Sequence, residues 1–342
     1  MIINSSRFIR VYNNMVKDKS RYESLPAKLF RWYKMFVVYT RYLHSASPEK
    51  KTDIVYFIID PEQKQAGFAD RIKAIVNSYE IAKYNNLQFR IYFEHPFSLS
   101  RYLIPNEHDW SCDYCDIDKS IFSSRLKGYH YVYEIPEWKK GYQYHILWYR
   151  GQDMIRRMCE IDGAPDALIR WHNKFKNNFD ELFKFSPYLL KIIDSAKLEE
   201  RSYISVHLRF VNSIGMFEGN TKKYPILPDN LQKLLINKCL AQIEDIKKNH
   251  AGMPLYIFSD SERFLNIAKE HGYKILAGGP IGHIAYSNSD QIQDKAMLDF
   301  FMIGRSSKVY SIVNEGMYAG AYSEYAALIG GAPFERIINK EL

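Results

Sequence analysis

Three segments in the C-terminal half of the sequence place cations, hydroxyl groups or carboxylates beside apolar runs. They are HLRF at 207–210, FSDSE at 258–262 and GRSSKVYSI at 304–312. A guanidinium group binds phosphate oxygens in a bidentate manner, and hydroxyls and carboxylates hydrogen-bond the ribose and base of a nucleotide. The three segments together predict a site for a phosphate-bearing nucleotide.

Arg209 is the centre of this predicted site. It lies near the end of YISVHLRF, at 203–210, an apolar segment that suits a strand buried on both faces. An arginine that such a strand delivers to the edge of a sheet is expected to bind an anion. Two alternatives remain open: Arg209 pairs with a carboxylate across the domain junction, and His207 is a hydrogen-bonded histidine of the core.

The elements that must position these residues begin with a βαβ unit. DIVYFIID at 53–60 predicts a buried strand, DRIKAIVNSYEIAKYNN at 70–86 a helix, and LQFRIYFE at 87–94 a second strand. This order implies a parallel sheet with a right-handed crossover. Residues 96–200 indicate one helix, at 171–197, and no strand.

Strands and helices alternate again from residue 202 to the end of the chain. Strands are predicted at 203–209, 253–260, 273–276 and 308–313, and helices at 228–250, 261–272, 290–304 and 315–331. We expect Gly272 to close the second of these helices and Gly304 to act as the C-cap of the third. This alternation predicts a doubly wound α/β domain, in which ligands bind outside the carboxyl ends of the strands.

The sequence therefore predicts an α/β chain with two Rossmann-like domains facing each other. The predicted divisions are a basic helical arm at 1–51, an N-terminal Rossmann-like domain at 52–200, and a C-terminal Rossmann-like domain at 201–342 that holds the predicted nucleotide site. No G-x-G-x-x-G follows the first strand of either domain, and there is no P-loop lysine motif. Dehydrogenases and P-loop NTPases are thereby disfavoured, as are hydrolases with a G-x-S-x-G elbow.

The net charge of +8 resides in the arm, since residues 1–51 hold eleven Lys or Arg and three Asp or Glu. Residues 25–44 interleave cations with aromatic and aliphatic side chains, as in a helix with one basic and one apolar face. The alternatives are docking on the N-terminal domain, contact with a membrane surface and nucleic-acid binding. No DNA- or RNA-binding signature supports the last of these. We expect a cytoplasmic protein, with the inner face of the membrane as the place of peripheral contact.

The chain contains four cysteines, too few for a disulfide framework. Cys112 and Cys115 form a lone C-x-x-C, which with His108 and His130 offers a metal site as the alternative to free thiols. The other candidate for metal binding is the DID sequence at 116–118, in a polar loop. No metal or other cofactor is expected.

Four motifs resemble those of GDP-fucose-dependent fucosyltransferases of the nodulation, core α-1,6 and protein O-fucosyltransferase types. Residues 66–93 are similar to the N-terminal motif of these enzymes, and YISVHLRF to their His-x-Arg motif. PLYIFSDSERFLNIAKE at 254–270 and AMLDFFMIGRSSKVYSI at 296–312 resemble the second and third donor-site motifs. The four occur in the same order as in the family.

The resemblance implies a GT-B fold and metal-independent transfer from a GDP-sugar, with inversion, to a glycan, in polysaccharide biosynthesis. It implies that Arg209 binds the leaving diphosphate, with His207 beside it. The same resemblance implies contacts with the nucleoside by Asp260, with the base or ribose by Asp299, with the phosphates by Ser306 and Ser307, and along the cleft by Gly67, Phe68 and Arg71. For Asp260 the alternative is a helix cap, and for the two serines a loop role.

The motifs also depart from the family. Phe210 stands where many members carry a second arginine, and Ala69 where glycine is common. A single guanidinium must then stabilise the diphosphate, or a helix N-terminus must assist. A transferase for another nucleotide sugar and a non-catalytic glycan- or nucleotide-binding protein therefore remain alternatives.

Inverting transfer also needs a base for the acceptor hydroxyl. Glu218 lies in the loop NSIGMFEGN, between Gly215 and Gly219, and is the candidate. The alternative for Glu218 is a solvated loop acid. A lipid-linked glycan is the acceptor that would explain a membrane-binding arm.

Overall fold

The structure is a computed structural model. It describes residues 51–59, 67–120, 122–129, 137–149, 165–215, 225–282, 284, 287 and 289–339, together with Tyr33 and Phe36. The predicted helix at 25–44 therefore lies almost entirely outside the described residues, and so do Glu218 and His130.

The N-terminal half is built on a four-stranded parallel sheet. Its elements are β1 (Ile54–Ile59), α1 (Phe68–Tyr84), β2 (Gln88–Phe93), β3 (Leu103–Pro105), β4 (Ser124–Tyr129), β5 (Gln143–Tyr149), α2 (Pro165–Leu182), β6 (Phe183–Phe185) and α3 (Pro187–Ser195). The strand order in the sheet is β2-β1-β5-β4. All six residues of β1 are buried, as the run IVYFII predicts. The predicted βαβ unit is confirmed.

The C-terminal half is built on a five-stranded parallel sheet. Its elements are β7 (Ile204–Leu208), α4 (Asp229–Asn249), β8 (Leu255–Ser259), α5 (Glu262–Glu270), β9 (Lys274–Ile275), α6 (Asp290–Gly304), β10 (Lys308–Asn314), α7 (Tyr322–Gly330) and β11 (Phe334–Asn339). The strand order is β11-β10-β7-β8-β9, which places β7 at the centre. The predicted alternation is confirmed, and β11 extends it beyond the last predicted helix.

The prediction for residues 96–200 is wrong in two respects. Four strands lie there, and β3 and β6 are so short that their three-residue antiparallel pairing leaves little pattern in the sequence. The predicted helix at 171–197 is two helices separated by β6. Ser186 accepts a hydrogen bond from the Leu189 amide at 3.1 Å as the N-cap of α3, and Pro187 follows it. A serine followed by proline is a helix start, and it divides the segment.

One apolar cluster joins the two halves. It contains residues of α1, β1, β2 and α2 together with residues of α6 and α7. The Phe68 ring lies edge-on to Phe300 with centroids 5.1 Å apart. Beside this contact, Asp294 of α6 accepts hydrogen bonds from Tyr102 at 2.7 Å and Tyr188 at 2.8 Å. Helices of both halves are thus packed against each other through a shared core with a polar rim.

Helices α6 and α7 cross at two glycines. A Cβ at Gly304 would overlap the carbonyl oxygen of Ala326, and one at Gly330 would overlap the Gly304 carbonyl. Arg201 donates hydrogen bonds to the carbonyl oxygens of Gly304 at 3.1 Å and of Gly330 at the ends of both helices. The expected C-cap role of Gly304 is therefore corrected. Arg305 is the C-cap residue, and Gly304 serves close helix packing.

Gly272 follows His271, the C-cap residue of α5, and has φ +80°, the left-handed conformation that its predicted role requires. None of the helices in the described ranges is long and apolar enough to cross a membrane.

Candidate functional site

Strand β7 carries Arg209 to the carboxyl edge of the second sheet. All five residues of β7 are buried between β10 and β8. Arg209 follows directly and keeps 24% of its side chain exposed. A strand at the centre of a parallel sheet thus ends in a cation that reaches solvent at the edge where such sheets bind ligands.

The guanidinium of Arg209 lies among groups that follow the two strands adjacent to β7, namely β8 and β10. Its Cζ is 4.9 Å from the centre of the Tyr318 ring, beyond β10. Its Nε is 3.9 Å from Oδ2 of Asp260, beyond β8. A Cβ added at Gly320 would approach its Nη1 to 3.3 Å, so the backbone there lies close to the cation. Asp260 follows a strand of the same sheet as Arg209, so this ion pair does not cross the domain junction.

Asp260 binds the chain turn that follows β7. Its Oδ1 accepts the amide of Phe210 at 2.8 Å, and its Oδ2 accepts the amide of Val211 at 2.9 Å. Burial raises the pKa of Asp260, while Arg209 and these amides oppose the shift. The alternative role as a helix cap falls to Ser261, whose hydroxyl accepts the amide of Phe264 at 3.2 Å.

His207 is buried beneath Arg209. Its ring lies 5.5 Å from that of Tyr322, the first residue of α7. Burial, with Arg209 and Arg336 adding to it, lowers the pKa of His207 to about 3. The imidazole is therefore neutral near pH 7 and adds no positive charge to the site.

Asp299 lies on α6 and forms an ion pair with a residue one turn earlier. Lys295 Nζ is 2.5 Å from Asp299 Oδ1, and the Lys295 side chain is only 6% exposed. Burial raises the pKa of Asp299, and Lys295 opposes the shift. The Tyr322 hydroxyl donates to the Ala296 carbonyl at 2.5 Å. Lys295 therefore offsets the charge of Asp299 within the same helix.

Ser306 and Ser307 lie at the opposite edge of the sheet from Arg209. They precede β10, whose first residue pairs with Ile204, whereas Ile312 pairs with Leu208. Four strand positions correspond to about 13 Å. The Ser306 hydroxyl donates to the Ile303 carbonyl at 2.8 Å, at the end of α6. The structure does not bring these serines together with Arg209.

The residues predicted to border the cleft from the N-terminal half are mostly internal. Phe68 packs against Phe97, Phe300 and Phe301. Arg71 is 1% exposed and donates to the His95 carbonyl at 2.8 Å. The expectation that these two side chains border the cleft is therefore corrected to a packing role. Gly67 is partly exposed at the start of α1.

The candidate metal-binding segments have internal partners. Asp116 pairs with Lys51 at 2.7 Å, and Asp118 accepts the amide of Ser120 at 2.9 Å. Cys112 and Cys115 are free thiols. Within the described ranges no group of three or more His, Cys, Asp and Glu is arranged to hold a metal ion.

Four residues around Arg209 were not selected from the sequence: Tyr318, Gly320, Tyr322 and Arg336. The segment EGMYAGAY follows the strand KVYSIV directly, so its place at the carboxyl edge was a usable signal. Arg336 gave no such signal. It donates from β11 to the Gly320 carbonyl at 3.0 Å and thereby fixes the backbone beside Arg209.

The geometry around Arg209 suits an anionic ligand. The guanidinium is partly exposed, and Gly320 lies two residues before α7, whose amino end carries positive partial charge. An anion at Arg209 would therefore meet a cation, polar backbone and the favourable end of a helix dipole. A phosphate or diphosphate is the chemical group that matches this arrangement.

The neutral state of His207 predicts a specific loss of stability in acid. Unfolded histidine takes up its proton near pH 6.5, whereas folded His207 does so only near 3. The unfolded state therefore binds more protons as the pH falls from 6.5, and stability decreases by up to about 1.4 kcal/mol per pH unit. Urea unfolding of the wild type and His207→Gln between pH 6.5 and 5 measures the difference. Equal slopes would contradict a neutral, buried His207.

Solved structures with the same fold include a plant fucosyltransferase. The chain aligns with a mutant of Arabidopsis thaliana FUT1 in complex with GDP at a TM-score of 0.52 and 9% identity, over 90% of this chain and 75% of that one. NodZ α-1,6-fucosyltransferase soaked with GDP-fucose aligns at a TM-score of 0.49 and 14% identity, over 82% and 93%. The expected GT-B fold is confirmed.

No family model matches the sequence, and no curated protein matches it. The resemblance to GDP-fucose-dependent fucosyltransferases is therefore supported at the level of the fold.

Proposed function

We propose that the chain is an inverting glycosyltransferase that transfers fucose from GDP-fucose to a glycan acceptor. The observation that carries the proposal is Arg209, which a central strand delivers, partly exposed, to the ligand-binding edge of a GT-B sheet. A structural neighbour with a TM-score of 0.52 is a fucosyltransferase in complex with GDP, which has a diphosphate for such a cation to bind.

In the proposed reaction, the bond between the anomeric carbon and the diphosphate breaks as the acceptor hydroxyl attacks from the opposite face. Arg209 binds the diphosphate oxygens and stabilises the negative charge that grows on them. The acceptor hydroxyl loses its proton to a base, for which Glu218 remains the proposed residue. His207 and Tyr322, the first residue of α7, lie close to Arg209, and Asp299 remains the proposed contact with the base or ribose.

We expect transfer without a divalent cation, because a guanidinium and the amino end of α7 can supply the charge that a metal ion would otherwise provide. The test is hydrolysis and transfer with GDP-fucose, GDP-mannose and UDP-sugars, each with EDTA and with manganese. GDP-fucose turnover in EDTA is the expected result. Turnover of another donor supports a different sugar, and donor binding without turnover supports a binding protein. Activity that only manganese restores would contradict metal independence.

A lipid-linked glycan acceptor and peripheral membrane contact through residues 25–44 complete the proposal. Cations near an anionic leaflet contribute about 1 kcal/mol each. This segment supplies four lysines and arginines among its aromatic residues. The identity of the acceptor stays a prediction.

A further inference from the structure

The turn that follows β7 is held by one carboxylate. Asp260 accepts the consecutive amides of Phe210 and Val211 at 2.8 and 2.9 Å, one on each oxygen. The same carboxylate lies 3.9 Å from the Arg209 Nε. Three successive residues of the chain therefore converge on Asp260.

The backbone of this turn is strained, and the two hydrogen bonds to Asp260 hold it in place. Val211 has φ +55°, a conformation that β-branched residues rarely adopt. Phe210 is fully buried and its ring lies 4.8 Å from Phe264. With the side chain at 210 fixed in the core and the backbone at 211 strained, the direction in which Arg209 leaves the strand depends on the contacts of the turn.

We propose that Asp260 is a positioning residue, which binds the amides of the turn and thereby aims the Arg209 guanidinium at the donor phosphate. This inference deepens the proposed function and rests on it for the identity of the ligand. It replaces the predicted contact of Asp260 with the nucleoside, because both carboxylate oxygens already bind the protein's own backbone.

Two readings of Asp260 give opposite predictions. As a counter-charge, the carboxylate would compete with a phosphate for Arg209, and its neutralisation would tighten anion binding. As a positioning residue, it must be ionised to accept both amides, and its neutralisation would weaken binding. Asp260→Asn separates them, because the amide keeps the size but presents an NH₂ group to one backbone N–H.

The first measurement needs no ligand. The Nε–H signal of Arg209 in ¹⁵N-labelled full-length protein, assigned by its loss in Arg209→Lys, reports the order of the guanidinium. We expect an ordered signal in the wild type and an order parameter below about 0.6 in Asp260→Asn. Ser261→Ala is the matched control, because it removes the N-cap hydrogen bond of α5 and leaves the two backbone hydrogen bonds to Asp260 in place. An Nε–H that stays ordered in Asp260→Asn overturns the proposal.

The second measurement is GDP affinity by calorimetry. We expect Asp260→Asn to weaken binding at least tenfold, and Ser261→Ala to leave it unchanged. In the Arg209→Ala background, Asp260→Asn should cause no further loss, because the residue acts through Arg209. A further loss would show direct contact with the nucleoside, and tighter binding would show a counter-charge. If the wild type binds no GDP, the proposed function fails while the Nε–H order still decides the role of Asp260.

Discussion

Arg209→Ala is expected to lower turnover of the sugar donor by at least about 10²-fold while the protein remains folded. The magnitude follows from losing a preorganised charge at the position where negative charge develops in the transition state. The expected loss in ground-state GDP affinity is about 1.5 to 3 kcal/mol, as for a hydrogen bond to a charged group. Initial rates with saturating acceptor, together with calorimetry on GDP, measure both.

Two further variants define what the arginine contributes. Arg209→Lys keeps the charge and removes the planar fork, so partial GDP affinity with poor turnover is expected. Arg125→Ala is the matched control. That arginine is also partly buried against an aromatic ring, with Cζ 4.0 Å from the Tyr142 centre, but it lies on β4 of the other sheet. Unchanged GDP affinity in folded Arg209→Ala would remove Arg209 from the site.

The position of Arg209 at the carboxyl edge of the second sheet was predictable because its signal is local. A buried strand that ends in His-x-Arg indicates the direction in which the chain runs and predicts that the arginine lies at the carboxyl end of the strand. The same reasoning could have corrected Ser306 and Ser307, because KVYSIV was already predicted as the strand that follows them. A residue before a parallel strand lies at the amino edge, away from the ligand-binding edge.

Other parts of the site depend on contacts between elements that are distant in sequence. Arg336 reaches the Gly320 carbonyl from an edge strand that the sequence did not predict. The buried contacts of Phe68 exist because α1 packs on α6 of the other half of the chain. A single glycine before a helix, as at Gly67, does not show whether the start of that helix faces a cleft or a packed core. Neither the contact of Arg336 with Gly320 nor the burial of Phe68 leaves a pattern in the local sequence.

Gly330→Ala is expected to destabilise the protein by about 2 to 3 kcal/mol, although helix propensity alone predicts the opposite sign. Alanine in a helix is favoured over glycine by about 0.5 to 1 kcal/mol. Here the added Cβ would overlap the carbonyl of Gly304 where α6 and α7 cross. Overpacking of this kind typically costs about 1 to 3 kcal/mol. The cost here is expected near the upper end of that range, because the atoms of Gly304 that the Cβ would meet are rigid backbone.

The crossing also lies beneath Arg201, which binds the carbonyl oxygens of Gly304 and Gly330. Separating the two helices would therefore weaken these charge-assisted hydrogen bonds as well. Gly252→Ala is the control, because a Cβ there meets nothing within 4 Å and only its φ of +86° is unfavourable, at about 1 to 2 kcal/mol. Urea unfolding should rank Gly330→Ala below Gly252→Ala in stability. If Gly330→Ala is as stable as the wild type, the two helices are not held in close contact at this crossing.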